Sequence, residues 1–176
     1  MEIPPLIGWS TLAFIVACWA TDLRSRNIPN LLTGSALVLG LGLNLWFFGP
    51  SGLLHSLLGA LLTGTILFGP FVLGGVGGGD VKMMAAVGAL LGPRMALVGL
   101  AAGLILGGVF MILHLARIGR VGEKLRSTAR MVANAVGGRS VEALRISDRS
   151  TDAVTLPYSV PLGVGTLGAM FMMRAL

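Results

Sequence analysis

Residues 31–79 read LLTGSALVLGLGLNLWFFGPSGLLHSLLGALLTGTILFGPFVLGGVGGG, without one Asp, Glu, Lys or Arg. So long an uncharged run exceeds any single buried helix. It matches two membrane spans of roughly 20 residues each, separated by the turn-forming Gly49-Pro50-Ser51-Gly52. The rest of the chain is consistent with this. Only 11% of its 176 residues are charged and 55% are hydrophobic, whereas a soluble domain carries about 25% charged residues.

Working outward, further apolar stretches appear at 5–20, 81–91, 94–115 and 156–173, beside 31–48 and 53–73. The expected fold is all-α, a polytopic membrane helix bundle of about six transmembrane helices. It is expected to form a single membrane-embedded domain over residues 1–176. The start, Met1-Glu2-Ile3-Pro4-Pro5, has neither a basic region nor a small-residue cleavage site, so the first span is expected to be retained. Gly99, Gly103 and Gly107 repeat every four residues and predict a helix face that a neighbouring helix approaches closely.

The net charge of +6 does not point to nucleic acid. Eight of the thirteen basic residues fall between Arg117 and Arg149, and Arg24 and Arg26 occupy another polar gap. Basic residues confined to gaps between apolar spans determine topology. With six spans, the gaps at 21–30, 74–80 and 116–152 share one side, which the positive-inside rule makes cytoplasmic, and both termini lie outside. Trp9 and Trp46 are then expected near the outer interface and Trp19 near the inner one. Residues 116–152 form a cytoplasmic basic loop. In it Ile118, Val121, Leu125, Ala129, Val132 and Val136 share a helical spacing. That pattern suits either an amphipathic helix on anionic lipid or a plain extension of the fifth span.

Cys18, the lone cysteine, supports neither an internal disulfide nor a cysteine metal cluster. His55 and His114 lie near opposite ends of the bundle, so no metal site is expected. Among seven acidic residues, Glu2 is terminal, and Glu123, Glu142, Asp148 and Asp152 lie in the arginine-rich loop. Asp22 and Asp80 remain, each at the cytoplasmic boundary of an apolar span. A carboxylate at membrane depth is costly and marks function by default. For Asp22 the plain alternative is a loop residue paired with Arg24 or Arg26; for Asp80 it is a helix N-cap. Asp80 follows Gly77-Gly78-Gly79, glycines that permit an unwound backbone. Such a segment is tolerated in a membrane only where it lines a cavity or is buried in protein. Asp22 is followed by Pro29, which ends one helix and can open the next, and by Asn30, a candidate cap or substrate-binding amide.

Asp22-Leu-Arg-Ser-Arg-Asn-Ile-Pro-Asn30 resembles the first aspartate motif of the type IV prepilin peptidases, and Gly77-Gly-Gly-Asp80-Val-Lys82 resembles their second, the GxGD motif. Leu156-Pro-Tyr-Ser-Val-Pro161 is similar to a family segment opening the last span, although Ser159 stands where glycine is expected. The short length resembles the Flp/Tad-type branch. The resemblance implies an aspartic endopeptidase of the bacterial inner membrane with Asp22 and Asp80 catalytic. Gly77, Gly78, Gly79, Lys82, Pro29 and Asn30 support the site or bind substrate. Lys82 matches the family's basic residue after the aspartate and is expected to bind lipid phosphate or substrate, or to tune Asp80. The implied partners are membrane lipids and a prepilin or pilin-like precursor with an apolar helix, cleaved at the cytoplasmic face. No cofactor is implied, and the cysteine-bearing cytosolic domain of the methylating members has no counterpart here, so cleavage without methylation is expected. Two carboxylates close together share a proton. One then activates a water as base, and the other protonates the scissile group as acid. A proton-coupled transporter also uses broken helices and intramembrane carboxylates, but spans one to three show no likeness to four to six. A non-catalytic subunit of a pilus or secretion machine would not need both aspartate motifs.

Overall fold

The computed structural model describes residues 3–72, 75–117 and 158–174. Within these the chain is all-helical: α1 Pro5–Ser25, α2 Asn30–Val72, α3 Gly78–Arg117 and α4 Ser159–Arg174. The first three contain segments long and apolar enough to cross a membrane, and α4 contributes a shorter apolar helix. Leu31, Trp46, Ile105 and Phe171 are among many large apolar side chains on the surface. A water-facing surface would not carry them in such density; this is a membrane protein. Contacts divide the chain into a unit of residues 1–107 and 157–176 and a second of residues 108–156. The first holds the core. Of the second, the described part is the end of α3, residues 108–117, whose Val109, Phe110, Ile112 and Leu113 are exposed. The possible amphipathic helix of the basic loop lies outside the described residues.

The Gly-Pro pairs act more locally than expected. Instead of a four-residue turn at 49–52, α2 breaks at Gly49 alone (φ 64°), and Pro50 to Gly52 are already helical. Proline suits the first turn of a helix, where its missing N–H is not needed and its φ is already helical. α3 likewise breaks at Gly92 (φ 75°) before Pro93. Pro93 has no N–H to give the carbonyl of Ala89, four residues back. α2 supplies the donors instead. Asn44 Nδ2 reaches Ala89 O at 3.0 Å and Leu90 O at 3.1 Å, and Ser56 Oγ also donates to Ala89 O. Lower down, Thr63 Oγ1 donates to Met84 O at 2.8 Å.

Lipid tails are as apolar as leucine, so close packing and interhelical hydrogen bonds hold a membrane bundle together. Glycines allow that approach. A Cβ at Gly40 would lie 2.8 Å from the backbone of Ala89 and Leu90, and a Cβ at Gly59 would overlap the Gly88 carbonyl oxygen. The expected Gly99–Gly103–Gly107 face is present. It meets Thr166, Leu162 and Tyr158 of the last-helix region, with a Cβ at Gly103 only 2.6 Å from Leu162 Cα. α1 packs on α2 and α4. Met83, Met84, Val87, Leu90, Ile15 and Leu162 fill the centre.

Candidate active site

Asp22 lies inside α1, in its last full turn, rather than in a loop after the span. Thr21 Oγ1 bonds back to the Ala17 and Cys18 carbonyls, and Ser25 Oγ to those of Thr21 and Asn27. These local bonds satisfy both hydroxyl donors within the end of the helix. It stops at Arg26, which takes the left-handed conformation (φ 50°, ψ 30°) and returns its N–H to Asp22 O at 2.7 Å. A non-glycine residue there costs roughly 1–2 kcal/mol, and it turns the chain sharply below Asp22. Arg24 and Arg26 are exposed. The side chain that engages Asp22 comes from the far end of the sequence: Ser159 Oγ donates to Asp22 Oδ2.

Asp80 is the third residue of α3, not its N-cap. Gly77 occupies the cap, since its carbonyl accepts the N–H groups of Asp80 (3.1 Å) and Val81 (3.3 Å). The Asp80 carboxylate reaches back to the Gly77 N–H at 3.3 Å, the reciprocal half of a capping box. Asp80 is buried. Gly78 and Gly79 are helical rather than unwound, and no glycine between 75 and 79 takes a positive φ. They act through their missing side chains. A Cβ at Gly79 would touch Ile28 at 3.4 Å, and one at Gly78 would meet the Phe71 ring at 3.2 Å.

That packing brings the two aspartate segments side by side. Ile28, buried at 3% exposure, sits against Gly79. Lys82 Nζ donates to Asn30 Oδ1 at 2.7 Å, so Asn30 caps nothing. The capping carbonyl at the start of α2 is that of Pro29, which accepts from Leu32 (3.1 Å) and Thr33 (3.2 Å). Asp22 and Asp80 stand within electrostatic reach of each other and of the buried Cys18. The expected catalytic residues Asp22 and Asp80 and the supporting residues Gly77, Gly78, Gly79, Lys82, Pro29 and Asn30 therefore fall in one neighbourhood. From Asn30 an exposed, mostly apolar face of α2 continues through Leu31, Gly34, Ser35, Val38 and Leu39.

Two neighbours of Asp22 were read differently in the sequence. Ser159 is fully buried against Asp22; the sign was its departure from glycine at that position. Trp19, expected as an interfacial residue, is half-buried and donates its indole N–H to Ser159 O at 2.9 Å. His55 packs against the break at Gly92, away from the carboxylates. Among the described residues no cluster of His, Cys, Asp and Glu has the makings of a metal site.

A model of the type IV leader peptidase family matches residues 9–112, more than half of the chain and including both aspartate segments. No curated protein and no solved structure matches the chain.

Proposed function

The chain belongs to the type IV leader peptidase family, and from that membership we propose that it is an aspartic endopeptidase in which Asp22 and Asp80 form the catalytic dyad. The observation that carries this reading is the convergence of the two aspartate segments through the Ile28–Gly79 contact and the Asn30–Lys82 hydrogen bond. The dyad holds one proton between its carboxylates. The ionised member takes a proton from water as the water oxygen attacks the scissile carbonyl carbon. The protonated member gives its proton to the carbonyl oxygen; the first then passes the water's proton to the nitrogen while the second takes a proton back from the adduct, whose collapse releases the amine and the new carboxyl terminus. Two carboxylates and a water suffice for this sequence, without a cofactor.

The substrate in this reading is a prepilin or pilin-like precursor of the Flp/Tad type, with a short basic leader and an apolar helix. The exposed apolar face of α2 that starts beside Asn30, with Leu31, Val38 and Leu39 outermost, supports such a substrate. Lys82 and Asn30 flank the scissile segment, and Lys82 also suits a lipid phosphate. The peptidase domain spans residues 1–176 and crosses the bacterial inner membrane about six times, with residues 116–152 as its cytoplasmic basic loop. The length of α2 supports two of these passes. A helix of 43 residues would run about 65 Å if straight, about twice the 30 Å hydrocarbon core. The break at Gly49 divides it into two spanning halves, and the break at Gly92 divides α3 into a shorter first half from Gly78 to Leu91 and a full-length second one.

The test is direct. The purified protein in lipid vesicles is given a synthetic precursor with a basic leader, a glycine at the cleavage position and an apolar helix. Mass spectrometry should find a single cut after the glycine, insensitive to chelators. An intact precursor, or a cut abolished by chelators, would overturn the proposal.

A further inference from the structure

We propose that Ser159 is a positioning residue for Asp22: its hydroxyl holds one carboxylate oxygen and aims the other at the reacting water. The inference rests on the reading of Asp22 as catalytic. A serine at the start of a helix ordinarily turns its hydroxyl to its own backbone N–H groups. Here the cap is taken by Tyr158, whose carbonyl receives the Leu162 N–H at 3.1 Å, and the hydroxyl is spent on a residue 137 positions away. Ser159 is fully buried, so a lost partner would leave a polar group stranded.

The backbone behind that hydroxyl is held as well. Trp19 and Asp22 are three residues apart and share a face of α1. Trp19 Nε1 holds the Ser159 carbonyl at 2.9 Å while Asp22 takes its hydroxyl. One turn on, Gly163 seats α4 directly on α1: a Cβ there would lie 2.6 Å from Trp19 Nε1 and 2.7 Å from Ile15 Cγ2. Ser159 is thus fixed at its carbonyl, at its hydroxyl and by the packing one turn away. Asp22 needs such a frame. It is half-exposed in the last turn of its helix, with exposed Arg24 and Arg26 close by in sequence as competing partners. A carboxylate free to swing toward either arginine is lost to the dyad. Asp80 needs no equivalent from another helix, because the Gly77 N–H next to its own turn holds its Oδ2.

The experiment compares wild type, Ser159→Ala, Ser159→Thr and Asp22→Asn as full-length proteins in vesicles, with the synthetic precursor as probe. Folded protein is quantified by thermal unfolding in detergent. Ser159→Ala removes one oxygen and should lower kcat about tenfold to a hundredfold, the scale of a misaimed catalytic group. KM should stay within about twofold, since ground-state binding is untouched. Ser159→Thr restores the hydroxyl and should return kcat to within about threefold of wild type. Three outcomes overturn the proposal: a kcat for Ser159→Ala within about twofold of wild type, a loss that appears only in KM or in the folded fraction, or a folded Ser159→Thr no better than alanine. If threonine does not insert, the split between kcat and KM in Ser159→Ala decides alone. Cleavage that survives Asp22→Asn overturns the reading of the site, and this inference with it; cleavage lost there but untouched in Ser159→Ala overturns the inference only.

Discussion

A carboxylate dyad works as a unit, because the attack needs one member ionised to take the water's proton and the other protonated to give one to the carbonyl oxygen in the same step. Asp22→Asn and Asp80→Asn should therefore each abolish cleavage of the synthetic precursor, with insertion unchanged. Amides keep the size but cannot share the proton. The double variant should be little worse than either single one. Asp148→Asn, in the basic loop, should cleave normally. Near-normal cleavage by either dyad variant would remove the aspartic mechanism while leaving the family membership intact. These two aspartates were legible in the sequence for a physical reason: in a chain with so few charges, an acid beside an apolar span is conspicuous. Ser159 was not. The role proposed for it depends on a hydrogen bond between α1 and α4, and no local spacing encodes that. The roles of the glycines before Asp80 were also misread. Freedom of φ was the property expected; lateral room for Ile28 and Phe71 is the property used.

Helix breaks fell at two of the three Gly-Pro pairs, Gly49-Pro50 and Gly92-Pro93, while Gly69-Pro70 stays inside α2. What the pattern of apolar residues left hidden is how the broken helices are held together. Asn44, Ser56 and Thr63 are polar positions inside uncharged runs, and each reaches a carbonyl of α3. Asn44→Ala should lower stability in detergent unfolding by about 1–2 kcal/mol, the upper range for an interhelical hydrogen bond in a membrane. No measurable change would mean that the Ala89 and Leu90 carbonyls do not depend on it. Glycines of α2 and α3 separate into two kinds. At Gly88 a Cβ would overlap the Gly59 carbonyl, whereas at Gly42 it would meet nothing within 4 Å. Gly88→Ala should destabilise the bundle by about 1–3 kcal/mol through forced separation of α2 and α3. Gly42→Ala should be neutral or slightly stabilising, since alanine is the better helix former. Equal effects at both positions would contradict the close approach of these helices.

For the whole molecule, the question is which side of the membrane holds the carboxylates. The charge distribution gives the answer proposed here. Arg24, Arg26 and the eight basic residues from Arg117 to Arg149 fall in gaps that six passes assign to one side, and lysine and arginine accumulate in cytoplasmic loops. Asp22 precedes Arg24 by two residues, and Asp80 lies beside the Lys82–Asn30 pair at the same end of the bundle. The breaks at Gly49 and Gly92 lie inside α2 and α3, at the far ends of the helical halves that start at Asn30 and Gly78. Orientation is therefore testable at positions away from the chemistry. Cys18 is fully buried, so the native thiol gives little background to a membrane-impermeant maleimide. In intact cells, Ser51→Cys, exposed beside the break at Gly49, should be labelled from outside. Arg24→Cys and Arg126→Cys should be labelled only after the inner membrane is opened. Each variant should keep cleaving the precursor, which shows that the labelled protein is the folded one. Labelling of Ser51→Cys from the cytoplasm alone would invert the topology. Both carboxylates share the side of Arg24, so such a result would move cleavage to the outer face and exclude a precursor whose basic leader remains in the cytoplasm.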